Sequence, residues 1–139
     1  MKDRPRRLRN SPTIRAMVRE TRISADTLVY PMFVIEGENI KEEIPTMPGQ
    51  YRYSIDRMGE VLEEMQDAGV RSVMFFGIPA YKDECGSGAW DENGIVQKAL
   101  RYAKKNYPAP CYITDVCMCE YTSHGQCGIL DGANVDNDK

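Results

Sequence analysis

Three short apolar runs recur about every 40 residues: LVYPMFVI at 28–35, VRSVMFFGI at 70–78 and CYITDV at 111–116. Amphipathic helical patterns fill the gaps. Ile55, Met58, Val61, Leu62, Met65 and Ala68 share one face of a helix that Ser54 caps and Gly69 ends. Ile95, Val96, Ala99, Leu100 and Ala103 mark a second helix, which Pro108 stops. Strand, helix, strand, helix, strand is the order of a parallel sheet joined by right-handed crossovers, so the class is α/β. Near-continuous apolar strands fit a sheet covered on both faces. Pro31 stands against a central position for the first run, because proline donates nothing to a ladder.

The connections are lopsided. Residues 36–53, with prolines 45 and 48 and glycines 37 and 49, read as a long loop, and 79–91 as another. Both follow strands, whereas each helix returns to the next strand within a few residues. In parallel α/β folds the chemistry collects beyond the C-terminal ends of the strands, so the long loops lie on the functional side. A (β/α)8 TIM barrel takes about 250 residues, and this chain has 139. The pattern therefore predicts the N-terminal part of a TIM barrel, about three βα units over residues 27–139, truncated at the C-terminus. An extended and helical arm at 1–26 precedes it. The alternative on pattern alone is a small three-stranded α/β domain.

The arm is cationic. Residues 1–22 hold eight basic side chains (Lys2, Arg4, Arg6, Arg7, Arg9, Arg15, Arg19, Arg22) against Asp3 and Glu20, a net of +6 in a chain whose total is -3. Ser11-Pro12 starts a short helix with Ile14, Met17 and Val18 on one side. No aromatic residue lies among the arginines to stack on bases, so a nucleic-acid partner is not expected. No apolar segment follows the basic start, which excludes a secretory signal. Arginine richness with few acids allows a transit peptide, although two prolines and one serine fit that poorly. An arm that docks on an acidic surface is the preferred reading. A membrane partner is not expected either, because no charge-free stretch is longer than the ten residues 72–81 and a span needs about 20.

Five cysteines without a secretory signal point to a reducing, cytoplasmic setting, where clustered thiols bind metals or do chemistry. Cys117 and Cys119 are two apart, so they point the same way in extended chain, and Cys127 returns through a turn containing Gly125. Three thiolates suit zinc, and three protein ligands with a fourth position open is the catalytic pattern. His124 is either a fourth ligand or a histidine that sits behind the ligands or merely in the loop, with the latter pair preferred; the plain alternatives for the thiols are burial or a fortuitous cluster. Cys85 and Cys111 stand apart and read as structural. Asp115 ends an otherwise apolar strand, either as an exposed strand end or cap or as a group that orients a substrate amine or a metal-bound water. Gly86-Ser87-Gly88 lacks the Walker pattern and reads as a mobile lid, with Trp90 covering a pocket or anchoring the loop. Every lysine falls in a loop, a helix or a terminus, so no strand offers one for imine chemistry.

FGIP at 76–79, KDECGSGAW at 82–90, GIVQKALRYAK at 94–104 and DVCMCEYTSHGQCG at 115–128 resemble the porphobilinogen synthase (5-aminolevulinate dehydratase) family. RRLRNSPTIRAMVRETRIS at 6–24 and LVYPMFVIEG at 28–37 extend the resemblance over nearly the whole chain. It implies a (β/α)8 barrel in a homo-oligomer, usually an octamer, whose N-terminal arm wraps a neighbouring subunit. The implied reaction is that of a hydro-lyase: two 5-aminolevulinate molecules condense to porphobilinogen with loss of water, towards haem and other tetrapyrroles. Cys117, Cys119 and Cys127 match the family's catalytic zinc ligands, and Asp115 the acidic residue beside them. A further Mg2+ would lie outside this segment. The family's two Schiff-base lysines belong to the second half of the barrel and have no counterpart here. Gln126 stands where a histidine is expected. The rival implications are a non-catalytic zinc-binding or oligomerisation fragment, and a different Schiff-base lyase on the same barrel.

Overall fold

The computed structural model of the protein describes residues 6–138. Lys2, Asp3 and Arg4 of the cationic arm, and the terminal Lys139, lie outside the described residues. The three predicted strands form as β1 (Val29–Ile35), β4 (Ser72–Ile78) and β5 (Cys111–Thr114), all parallel. β1 and β4 pair over their full length, from Val29 opposite Ser72 to Ile35 opposite Ile78.

The segment 36–53 departs from the predicted loop. It folds back as β2 (Lys41–Glu43) and β3 (Tyr51–Tyr53), an antiparallel pair, and β3 lies parallel to β1. The sheet order is β2-β3-β1-β4-β5. Three-residue strands punctuated by proline and glycine carry too little periodicity to be read in advance. Lys41 is accordingly in a strand, although an edge one. Its Nζ sits 5.1 and 5.7 Å from the Tyr51 and Tyr53 ring centroids and 3.5 Å from Glu60. Pro31 is tolerated because β3 reaches β1 only at Phe33 and Val34, leaving one laddered neighbour beside the proline.

Both longer helices, α2 (Met58–Asp67) and α3 (Ile95–Asn106), cover one face of this sheet. Met58, Val61, Leu62 and Met65 of α2, with Ile95, Val96, Ala99 and Ala103 of α3, bury Met32, Val34, Val73 and Phe75. Truncating the fully buried Leu62 to alanine would cost about 2–5 kcal/mol. Ser54 does not cap α2 with its side chain. A single 3-10 turn intervenes at Ile55–Arg57, and the buried Ser54 Oγ accepts from Ile40 N at 2.8 Å, tying the hairpin to the helix start. At the other end the prediction holds. Gly69 adopts φ +83, its N–H reaches Gln66 O at 2.9 Å and Val70 N–H reaches Met65 O at 3.0 Å, the double bond of a Schellman stop.

The opposite face carries Phe33 and Ile35 of β1, Met74, Phe76 and Ile78 of β4 and Ile113 of β5, all half-buried. Phe33 and Phe76 stack there with centroids 5.4 Å apart. Helices on one face and side chains meeting on the other is the layering of a barrel wall. It is not that of a doubly wound sheet, which is covered on both sides. In the arm, α1 (Pro12–Met17) starts as predicted, with Ser11 Oγ accepting from Ile14 N at 3.2 Å. Its apolar side is open: Met17 is 73% exposed and Ile23, beyond it, 78%.

Candidate metal centre

Parity along β5 fixes where Asp115 stands. Val73 is opposite Tyr112 and Phe75 opposite Thr114, so Tyr112 and Thr114 lie on the helix side and Cys111 and Ile113 on the inner side. Asp115 continues the inner series and its N–H still reaches Phe75 O at 3.5 Å. The carboxylate thus ends the inner face at the C-terminal rim, and it is exposed. Val116, beyond it, is 92% exposed and no longer in the strand.

The chain then coils. Tyr121 N and Thr122 N both reach Met118 O, at 2.9 and 3.0 Å. Tyr121 is buried against β4, where only a glycine fits: a Cβ on Gly77 would lie 2.6 Å from the Tyr121 hydroxyl. Thr122 is buried and its Oγ1 donates to Gln126 O at 2.9 Å, while Gly125 turns the chain at φ +72. This reversal returns Cys127 to the first two thiols. Cys117 Sγ lies 2.9 Å from Cys119 Sγ and 3.3 Å from Cys127 Sγ, and all three sulfurs fall within 4.8 Å of one another.

The thiols at 117 and 127 are shifted in opposite directions. Hydrogen bonding to Cys119 and Cys127 pushes the Cys117 thiol up to about 12, and the bond from Cys117 holds Cys127 below the usual thiol range. Three thiols converging within 4.8 Å are a soft donor set, and a soft cation would replace their protons. Three thiolates and no carboxylate in the set suit zinc by donor chemistry, with a fourth position left over. Among the described residues this is the group whose donor atoms converge. Cys85 and Cys111 are exposed and outside it.

His124 does not join the thiols. Its Nδ1 accepts from Gln126 N at 3.1 Å and its Nε2 meets Glu84 O at 3.2 Å, so both ring nitrogens are engaged. Glu120 is half-buried, and burial, then the Asp115 charge, raise its carboxyl against the opposing pull of Lys82. A cavity of about 210 Å³ opens beside Cys117 between α3 and the end of β5, lined by Thr114, Asp115, Gln97, Leu100 and Tyr121 among others. Gln97 Oε1 is buried without a partner there, while its Nε2 donates to Ala89 O at 2.7 Å. Sequence reasoning passed over Gln97, although a lone amide among the apolar positions of α3 was the available signal.

It also passed over Asp83. The Gly86-Ser87-Gly88 segment leads into a 3-10 turn at Ser87–Ala89, fastened by the Asp83 carboxylate, which accepts from Cys85 N at 3.0 Å, Ser87 N at 2.9 Å and the Ser87 hydroxyl. These bonds, the hydroxyl's first, hold the Asp83 carboxyl below the usual carboxylate range. Trp90, at the end of that turn, is 62% exposed. No lysine occurs in β1, β3, β4 or β5.

The family described as delta-aminolevulinic acid dehydratase matches residues 2–139. The chain is similar to the delta-aminolevulinic acid dehydratase of Ruminiclostridium josui, 54% identical over 136 residues, which covers 98% of this chain and 66% of that one. Against the protein of the same name from Staphylococcus epidermidis it is 49% identical over 139 residues, covering 99% and 43%. Among solved structures it resembles delta-aminolevulinic acid dehydratase (porphobilinogen synthase) from Toxoplasma gondii ME49 in complex with the reaction product porphobilinogen. That likeness has a TM-score of 0.90 at 28% identity, over 99% of this chain and 40% of that one. The chain thus spans about two thirds or less of the length of these relatives.

Proposed function

Because this chain belongs to the delta-aminolevulinic acid dehydratase family, we propose that it carries the metal-binding part of a porphobilinogen synthase. The reaction is the condensation of two 5-aminolevulinate molecules to porphobilinogen with loss of water. The observation that carries this reading is the convergence of Cys117, Cys119 and Cys127 within 4.8 Å at the C-terminal rim of β5. Those three residues would hold zinc. Zinc bound there supplies Lewis-acid polarisation of a substrate oxygen.

The chain's own groups do the remaining work assigned to it. Asp115 ends the inner series of β5 two residues before Cys117, and its carboxylate accepts from the substrate ammonium and orients it towards the inner face. Half-buried Ile35, Phe76, Ile78 and Ile113 keep that face apolar, which favours the neutral amine and imine forms that carbonyl condensation needs. Imine formation itself we assign to lysines outside these 139 residues, since the parallel strands offer none. Residues 27–139 then form the barrel portion, and residues 1–26 an arm that docks on another copy of the chain in a homo-oligomer. The open apolar side of α1 and the net +6 of residues 1–22 support the arm's role. No helix among the described residues is long and apolar enough to cross a membrane, and we place the protein in the cytoplasm.

Metal analysis of the parent and of the single Cys→Ser variants at 117, 119 and 127 tests the reading. The parent is expected to hold about one zinc per chain and each variant to lose it. Full occupancy in Cys127→Ser contradicts the three-cysteine assignment.

A further inference from the structure

The turn that returns Cys127 is tied to the neighbouring loop as well as to itself. Ser123 N donates to Asp83 O at 2.8 Å, and Asp83 and Thr122 pair as an isolated parallel bridge. His124 adds a third tie with a defined polarity. Its Nδ1 accepts the Gln126 N–H, so the ring proton sits on Nε2 and donates to Glu84 O. Gln126 immediately precedes Cys127. The imidazole therefore bridges the backbone next to the third thiol to the loop after β4. That loop is braced in turn by the Asp83 carboxylate on Cys85 N, Ser87 N and the Ser87 hydroxyl.

We propose that His124 is a positioning residue for Cys127: a two-ended strut that holds the third thiol in reach of Cys117 without itself binding the metal. The inference rests on the three-thiolate reading above and names what preorganises it. Without the strut, the stretch from Ser123 to Cys127 keeps the Thr122–Gln126 bond but loses its hold on the Glu84 carbonyl. Cys127 is the ligand most exposed to that loss, because Cys117 and Cys119 lie close to the end of β5 whereas Cys127 depends on the turn. Loss of partners that orient a ligand typically costs 10–100-fold in metal affinity.

Cobalt(II) titration of the full chain tests this, because thiolate-to-cobalt charge transfer reports the number of bound sulfurs independently of activity. His124→Ala is expected to weaken cobalt binding about tenfold or more. Its charge-transfer intensity per bound cobalt should fall by about a third, as two thiolates replace three. His124→Gln keeps an amide N–H near the Nε2 position and should retain most of the affinity. His124→Asn keeps a group near Nδ1 but not the reach to Glu84, and should behave like His124→Ala. Gln and Asn are matched in polarity, so their difference reads the strut even if the alanine variant folds poorly. Parent-like affinity and intensity in His124→Asn, or equal behaviour of the two amides, would overturn the inference alone. A parent chain without a charge-transfer band would overturn the three-thiolate reading and the inference together.

Discussion

Gly77 is the position at which a single methyl group should be felt at the thiol loop. A Cβ there would meet the Tyr121 hydroxyl at 2.6 Å, Val96 Cγ2 at 2.7 Å and Ile95 Cγ2 at 2.8 Å. These atoms belong to two different segments, α3 and the coil after β5, so no single rotation clears them. Overpacking of this kind costs typically about 1–3 kcal/mol. Gly77 has no positive φ, so alanine also recovers roughly 0.5–1 kcal/mol of backbone freedom that glycine wastes in a strand. The net expectation for Gly77→Ala is a loss of about 1–2 kcal/mol, or roughly 3–10 °C in Tm for a chain of this size. Thermal and urea unfolding of the full chain measure it. Gly77→Ala combined with Tyr121→Phe should regain part of the loss, because the 2.6 Å contact disappears while those to Val96 and Ile95 remain. A Gly77→Ala variant as stable as the parent, or a double variant with purely additive losses, would refute the claim that Tyr121 is seated against β4 at this point.

Three further outcomes are expected. Burial pushes Tyr53 and Tyr112 up to about 12, while an unfolded tyrosine titrates near 10, so above that pH the unfolded chain releases phenolic protons that the folded chain retains. Their contribution is whole below about pH 10 and is lost as pH rises through about 12. Thermal unfolding across that range should show Tm falling with pH, and Tyr112→Phe should flatten the fall; an unchanged slope would speak against burial as its cause. Deleting residues 1–22 should lower the mass seen by light scattering, since it removes the open Met17 and Val18 side and a net +6, and an unchanged oligomer would return the arm to a solvated tail. Borohydride trapping of residues 1–139 with 5-aminolevulinate should give no lysine adduct and no porphobilinogen, and a stoichiometric adduct with product would show the catalytic set to be complete here.

What was legible in advance had long periods or a rigid stereochemical demand. β1, β4 and β5, the two long helices, the Ser11 cap and the Gly69 stop all fall in that class. Ser54 misled because its hydroxyl has two uses. The local rule assigns it to the helix start, but Ile40 N, fourteen residues away, takes it instead, and only tertiary structure brings that donor near. The hairpin at 36–53 and the short pair β6 (Leu130–Asp131) and β7 (Asn134–Val135) escaped because two- and three-residue strands leave no period to detect. The thiols were visible from spacing. Their supports were not, since Asp83 and Glu84 reach the turn from the loop after β4, and Gln97 lines the neighbouring cavity from α3.

Gln126 shows why a departure from an expected pattern has to be weighed against the bonds a position actually makes. A histidine was expected just before the third cysteine, and an amide there suggests altered tuning of the metal. In the structure the turn uses residue 126 through its backbone: its N–H donates to His124 Nδ1 and its carbonyl accepts from Thr122 Oγ1. Any residue except proline supplies both groups. The side chain at 126 is exposed, so replacing histidine by glutamine leaves the reversal that delivers Cys127 intact. The same accounting makes His124 the less replaceable of the two, because there the bonds come from the side chain, one ring nitrogen on Gln126 N and the other on Glu84 O. On this argument Gln126→His should leave cobalt affinity and charge-transfer intensity unchanged, whereas Gln126→Pro, which deletes the N–H that His124 accepts, should weaken binding as His124→Ala does. A gain of affinity in Gln126→His comparable to the loss in His124→Ala would mean that the side chain at 126, and not the turn's backbone, governs the third ligand.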